Sequence, residues 1–201
     1  VIGITGSNGK TTTKELVAAV LARRYNTYAT KGNLNNHIGI PLTLLAVDKE
    51  KLEMAVVEMG ANHQKEIEGY CEYALPDYGL ITNVGYAHLE GFGGFEGVIK
   101  GKTELYSHLI KTGGKVFINA DNEILINRAN EQAAGVAGWH TNERLITYGT
   151  GETCFCTGSI APGGDFLNVE VDGIRIHTNL VGNYNFENVL AAVCIGKHFD
   201  V

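Results

Sequence analysis

Short apolar runs alternate with helix-period segments through the first two thirds of the chain. "VIGIT" at the start reads as a buried strand, and the stretch from about Thr11 to Arg24 sets Leu16, Val17, Val20 and Leu21 on one helical face. "NTYAT", "MAVVEM", "YGLITNV" and "KVFIN" repeat the strand pattern. Between them the spacing predicts helices near Pro41 to Val47, near Gln64 to Tyr73 and from about Phe95 to Ile110. Strands that are apolar without alternation are buried on both faces, which requires a mostly parallel sheet with helices outside, so the fold class is α/β. Beyond Asn142 the pattern changes. "RLITYG", "CFCTGSIA", "FLNVEVDG" and "IRIHTNLVG" are strand-like, alternate, and are broken by Gly-Gly and Asp-Gly, which predicts a small antiparallel β appendage in meander order. A last helix from about Asn185 to His198 turns Phe186, Val189, Leu190 and Val193 toward the core.

The 201 residues, 44% of them hydrophobic, suffice for one sizeable core, and neither a Pro- or Ser-rich linker nor an internal repeat divides them. Sixteen basic against 22 acidic residues give a net charge of −6, so no global field gathers nucleic acid and any polyanion must be held locally. Cys71, Cys154, Cys156 and Cys194 lack zinc-knuckle spacing and read as reduced thiols of a cytoplasmic protein. No apolar run approaches the ~20 residues of a membrane helix, and no signal peptide is visible, so membrane insertion is not expected. Val1 already lies inside a strand, and the chain is therefore expected to be an excerpt of a longer protein.

The first chemistry lies in "ITGSNGKTTTKE", Ile4 to Glu15. Gly6 and Gly9 permit positive φ and close backbone approach, Lys10 supplies a point cation, and Thr11 a hydroxyl within reach of magnesium. A turn that follows a strand and opens a helix aims backbone N–H groups at an anion. The spacing is shorter than the generic P-loop, since Ile4 stands where its first Gly is expected. At the end of the third strand "VVEMGANH" places Glu58 outside the carboxyl edge of the sheet, where α/β folds bind ligands and where a carboxylate suits a hard cation. "LITNVGYAHLEGFGG" delivers His88 and Glu90 just past the fourth strand, although magnesium prefers oxygen to imidazole. "IKGKTELY" carries Lys100, Lys102 and Glu104, the pattern of a solvated helical face.

Taken in order, "TGSNGKTTTKE", "NLNNHIGIPLTLL", "VVEMGANH", "ITNVGYAHLEGFGGFEGV", "GKTELY" and "NYNFENVLAA" make the chain resemble the central ATP-binding domain of the Mur ligases from Thr5 to Ala192, with a P-loop-type sheet. "NNHIGIPLTLL" with "AHLEGFGG" is most similar to the branch that adds D-Ala-D-Ala to UDP-MurNAc-tripeptide through an acyl phosphate. The resemblance implies ATP and Mg2+ as cofactors. Lys10 and the turn from Gly6 through Ser7, Asn8 and Gly9 to Thr11 and Thr12 would hold the phosphates, Thr11 and Glu58 one magnesium, and His88 a second. Lys102 matches a lysine that the family carries as a carbamate, with Lys100 its solvent-facing neighbour. Asn188 would meet the adenine edge, Asn185 would cap the last helix, and Tyr184 stands where many relatives have His. Asn35, Asn36 and His37 would line the sugar-peptide side, with Glu90 supporting His88. The family's amino-terminal UDP-binding and carboxy-terminal domains are missing from 1–201, so this fragment alone is expected to be inactive in ligation.

Overall fold

The computed structural model describes residues 1–47, 50–139 and 143–201; Asn142, where the sequence pattern changes, lies outside them. The elements run β1 (Ile2–Thr5), α1 (Lys10–Leu21), β2 (Thr27–Ala29), α2 (Gly39–Leu45), β3 (Met54–Glu58), α3 (Glu66–Ala74), β4 (Tyr78–Ile81), α4 (Leu89–Phe92), α5 (Phe95–Thr112) and β5 (Lys115–Asn119). They continue with α6 (Glu123–Gln132), β6 (Leu145–Gly149), β7 (Cys156–Ala161), β8 (Asn168–Val171), β9 (Ile174–His177) and α7 (Phe186–His198). One sheet collects the strands in the order β2-β3-β1-β4-β5-β6-β7-β8-β9. It is parallel as far as β7 and antiparallel from there to β9.

Successive strand residues point to opposite faces, and the core divides accordingly. Ile2, Ile4, Val56, Leu80 and Phe117 pack with Val17 and Leu21 of α1 and with Val189 and Leu190 of α7. Val57, Ile81, Val116 and Ile118 pack with Ile67, Leu105, Leu109 and Leu125 of α3, α5 and α6. Three layers follow. A Cβ on Gly79 would stand 2.5 Å from the Leu109 Cδ1, so glycine there lets α5 settle onto β4. Chain order reverses at β1, which lies between β3 and β4, and the loops after β1, β3 and β4 therefore meet in the crevice at the carboxyl edge.

Three expectations need correction. The meander does not begin at β6: Phe117 pairs in parallel with Ile146, and Tyr148 in parallel with Cys156, leaving only the β7–β8 and β8–β9 pairs antiparallel. The physical reason is that α6 lies between the two strands as a crossover, which returns β6 in the direction of β5. The buried stripe of α1 is Thr13, Lys14, Val17 and Leu21, while Leu16 and Val20 are half-buried. Helix α6 lies in a segment that carries no strong apolar periodicity; its start is fixed by Asn122, whose side chain accepts from the Leu125 N–H. All four cysteines are free thiols. Among the described residues no helix is long and apolar enough to cross a membrane.

Candidate nucleotide and metal site

Gly9 has φ 79° and ψ −3°, the left-handed conformation that bends the chain from β1 into α1. Neither a side-chain cap nor an acidic residue serves the first turn of α1, so its leading N–H groups face the crevice with the positive end of the helix dipole. The turn is stapled to the loop after β4. The Ser7 N–H donates to the Asn83 carbonyl (3.0 Å), the Asn8 N–H to Asn83 Oδ1 (3.0 Å), and the Thr82 hydroxyl to the Asn8 carbonyl (2.6 Å). Ser7 Oγ receives the Gly85 N–H at 2.9 Å. Gly6 must be glycine, since a Cβ would lie 2.0 Å from Thr82 Oγ1. The Lys10 ammonium folds back on the carbonyls of Gly6 (2.9 Å) and Ser7 (3.1 Å). Burial lowers its pKa, and the Glu58 carboxylate opposes that shift. Thr12 lies beyond, facing a second cavity.

Glu58, at the end of β3, is 0% exposed. Its Oε1 accepts from the Thr11 hydroxyl (3.2 Å) and from Asn35 Nδ2 (2.7 Å), whereas Oε2 is buried without a hydrogen-bond partner. The nearest cation to Oε2 is Lys14 Nζ at 3.7 Å. A buried carboxylate oxygen with no donor beside a hydroxyl and a phosphate-type turn fits a hard cation that completes its shell with water and phosphate oxygens. Among the described residues no group of three or more His, Cys, Asp or Glu side chains is placed to hold a metal without such help.

Lys10, Asn35, Asn36, His37 and His88 line one cavity of about 350 Å³, together with Glu66. His88 itself has φ 57°, a conformation costly for a residue with a Cβ and concentrated at functional sites. Asn36 is partly committed elsewhere: its Oδ1 receives the N–H groups of Ile38 and Gly39 and so opens α2. Glu90 is exposed on α4 and does not line the cavity. Behind the Ala61 wall sits Lys102, 2% exposed, its Nζ donating to the Ala61 carbonyl at 3.1 Å. Burial, reinforced by the charge of Lys10 and opposed by Glu66 and Glu104, pushes its ammonium down to about 8. Lys100, two residues earlier, is exposed.

A second cavity, about 450 Å³, opens between the turn and the start of α7, lined among others by Gly9, Thr12, Asn83, Tyr184 and Asn188. Asn188 Oδ1 accepts from the Thr13 hydroxyl and its Nδ2 donates to Asn185 Oδ1, both at 3.0 Å, which leaves one donor and one lone pair free for a ligand. Asn185 does not cap α7. It occupies the Ncap position, but a 3-10 turn over Asn183–Asn185 aims its amide at the Val181 carbonyl and Asn188 instead. Tyr184 is 79% exposed at the cavity mouth.

Four contributors escaped the sequence reading: Lys14, Glu66, Thr82 and Asn83. The last two carried a signal, a Thr-Asn pair ending an apolar strand beside the strand that feeds the turn.

Residues 4–196 match a family model described as the Mur ligase middle domain. The chain is 36% identical, over 100% of its length, to the UDP-N-acetylmuramoyl-tripeptide–D-alanyl-D-alanine ligase of Bacillus subtilis (strain 168), of which it spans 42%. Among solved structures it is similar to crystal structure I of MurF from Acinetobacter baumannii, with a TM-score of 0.84 and 31% identity over 100% of this chain and 43% of that one. It is also similar to the MurF ligase of Thermotoga maritima in complex with ADP, with a TM-score of 0.79 and 27% identity over 99% of this chain and 45% of that one. The chain thus spans less than half the length of these relatives.

Proposed function

The chain belongs to the Mur ligase middle-domain family, and on that premise we propose that it is the ATP-binding core of a cytoplasmic ligase of peptidoglycan-precursor synthesis, one that joins D-Ala-D-Ala to UDP-MurNAc-tripeptide. The observation that carries the reading is the meeting of an uncapped helix start, the Thr11–Glu58 pair and a cavity holding both Lys10 and His88. The ADP complex of the Thermotoga maritima protein supports the nucleotide, and the name of the Bacillus subtilis relative supports the acceptor and the dipeptide.

The task of such a site is charge management, because two polyanions and a peptide carboxylate must approach one another. The turn amides and the first N–H groups of α1 cradle the β- and γ-phosphates. Lys10 exchanges two carbonyls for phosphate oxygens, a swap favoured because neither carbonyl carries full charge. Thr11 and Glu58 would hold magnesium and His88 would serve a second ion, which would offset phosphate charge. The tripeptide carboxylate oxygen forms a bond to the γ-phosphorus, and ADP leaves with the electron pair of the broken P–O bond. The neutral amine of D-Ala-D-Ala then forms a C–N bond at the acyl carbon, phosphate leaves with the C–O electron pair, and the amine's proton passes to the departing phosphate. Asn188 offers its remaining donor and acceptor to the adenine edge, and Asn35, Asn36 and His37 face the sugar-peptide.

Lys102 fits a carbamate. The ammonium would first release one proton to solvent; the neutral amine would then add to carbon dioxide, an N–C bond forming as a C–O π bond opens, and a second proton would leave, so that a cation becomes an anion. Domains flanking this one in the whole protein grip uridine and close over ATP and the dipeptide. The test is made on the whole protein: ADP release that depends on D-Ala-D-Ala, with an acyl phosphate trapped by hydroxylamine when the dipeptide is withheld. ADP release that instead requires glutamate would move the assignment to the folylpolyglutamate type, and none at all would leave a nucleotide-binding module.

A further inference from the structure

One buried cation takes no part in the chemistry above. Lys14 follows Lys10 by one turn of α1 and is 0% exposed, so it reaches neither solvent nor cavity. Burying an ammonium is tolerable only when its three donors are met. Here Nζ donates to the Thr30 carbonyl at 2.7 Å and to the Gly32 carbonyl at 3.4 Å, and it pairs with the Glu15 carboxylate at 2.8 Å. Glu58 Oε2, at 3.7 Å, feels the charge but receives no hydrogen bond.

Both carbonyls belong to the entry of the loop that carries Asn35, Asn36 and His37. Further along, the same loop is held from β3: Asn35 Nδ2 donates to Glu58, and the Gly60 N–H donates to the Asn35 carbonyl at 2.7 Å. The Glu58 N–H in turn donates to Thr30 Oγ1 at 3.0 Å. The loop is therefore pinned at its entry by α1 and β3 together and in its middle by the end of β3. Lys14 is the pin that ties it to the helix of the phosphate turn.

We propose that Lys14 is a positioning residue for the sugar-peptide side of the site: it fixes the loop of residues 31–37 from the helix whose start faces the phosphates. This rests on the reading that the loop faces the sugar-peptide. Removing the cation frees two carbonyls at the loop entry and leaves the phosphate turn, held by Thr82 and Asn83, in place.

The test compares Lys14→Met and Lys14→Arg in the whole ligase with His37→Ala as a probe of the reading itself. In Lys14→Met, hydrogen exchange at the amides of Leu34, Asn35 and Gly60 is expected to quicken at least about tenfold, the worth of a hydrogen bond from a charged donor. Exchange at Ser7 and Thr13, whose N–H groups are held by Asn83 and Gly9, should change by no more than about twofold. The KM for UDP-MurNAc-tripeptide rises, and Lys14→Arg restores part of it. Should Lys14→Met fail to fold, Lys14→Gln, which keeps an amide donor group but not the charge, carries the same comparison. Unchanged exchange in the loop, or equal acceleration in loop and turn, overturns the proposal. So does a KM untouched by Lys14→Met but raised by His37→Ala; a KM untouched by both overturns the substrate reading beneath it.

Discussion

Lys102→Met isolates the energetic cost of a buried ammonium. Burial lowers its pKa from 10.5 to about 8, a difference worth about 3 kcal/mol. The unfolded chain keeps this proton up to pH 10.5, whereas the folded chain releases it near 8. Between those values the unfolded state binds more protons, so stability rises with pH; the penalty is complete below 8 and gone above 10.5. Methionine carries no such penalty but forfeits the hydrogen bond to the Ala61 carbonyl, worth ~1–2 kcal/mol. At pH 7 the variant should therefore be more stable than the parent by about 2 kcal/mol, and near pH 10.5 less stable by about 1. Urea denaturation of both chains at pH 7, 8, 9 and 10, at matched ionic strength and in buffer freed of carbon dioxide so that Lys102 stays an amine, reads this difference directly. A gap between them that is the same at pH 7 and pH 10 would refute the reasoning. The same shift governs carbamate formation, because at pH 7.5 about a quarter of the amine is neutral instead of roughly one part in a thousand. Labelled bicarbonate should then give a carbamate resonance in the parent that Lys102→Met lacks.

Gly9→Ala places a Cβ 2.6 Å from Asn188 Oδ1 at φ 79°; the left-handed strain alone is worth ~1–2 kcal/mol, or roughly 2–8 °C of Tm at this size. Calorimetry should show that loss together with at least about a tenfold weaker Kd for ADP with magnesium, the effect of about 1.4 kcal/mol. Asn188→Ala strands the Thr13 hydroxyl and Asn185 Oδ1, so a loss of ~1–3 kcal/mol is expected in urea denaturation, against no measurable loss if water fills the gap. The 201-residue chain by itself should bind nucleotide weakly at most and form no pentapeptide product, since positioning supplies ~7–11 kcal/mol of a barrier and is shared with the rest of the protein; robust ligation by this chain would contradict the division of labour proposed above.

The α/β alternation was legible because a strand covered on both faces leaves an unbroken apolar run, as Ile2–Thr5 and Met54–Glu58 do. Strand direction was not legible. The residues of β6 would look the same in either orientation, and what fixes it is the crossover through α6, whose only fully buried positions are Leu125 and Ala129. Two apolar positions four apart are too few for a periodicity argument, although Asn122 ahead of them is a cap signal that was there to be used. The turn between β1 and α1 was legible for a different reason: Gly6 and Gly9 answer to backbone conformation, a local property.

Periodicity reports the environment of one position at a time, and the site is built from compensations between positions. Lys14 counts as polar in any amphipathicity argument and predicts an exposed face, yet it is among the most buried residues because Thr30, Gly32 and Glu15 meet its donors. Asn188 is buried for the same reason, through Thr13, from which 175 positions separate it. A polar residue at a core-facing helical position is thus a conditional statement: either the periodicity is wrong there, or a partner exists elsewhere in the chain. On α1 the second branch holds twice, at Thr13 and Lys14, and those two positions bind the helix to the two walls of the crevice, α7 on one side and the loop of residues 31–37 on the other. The positions at which amphipathicity fails on this helix are therefore the ones that assemble the site.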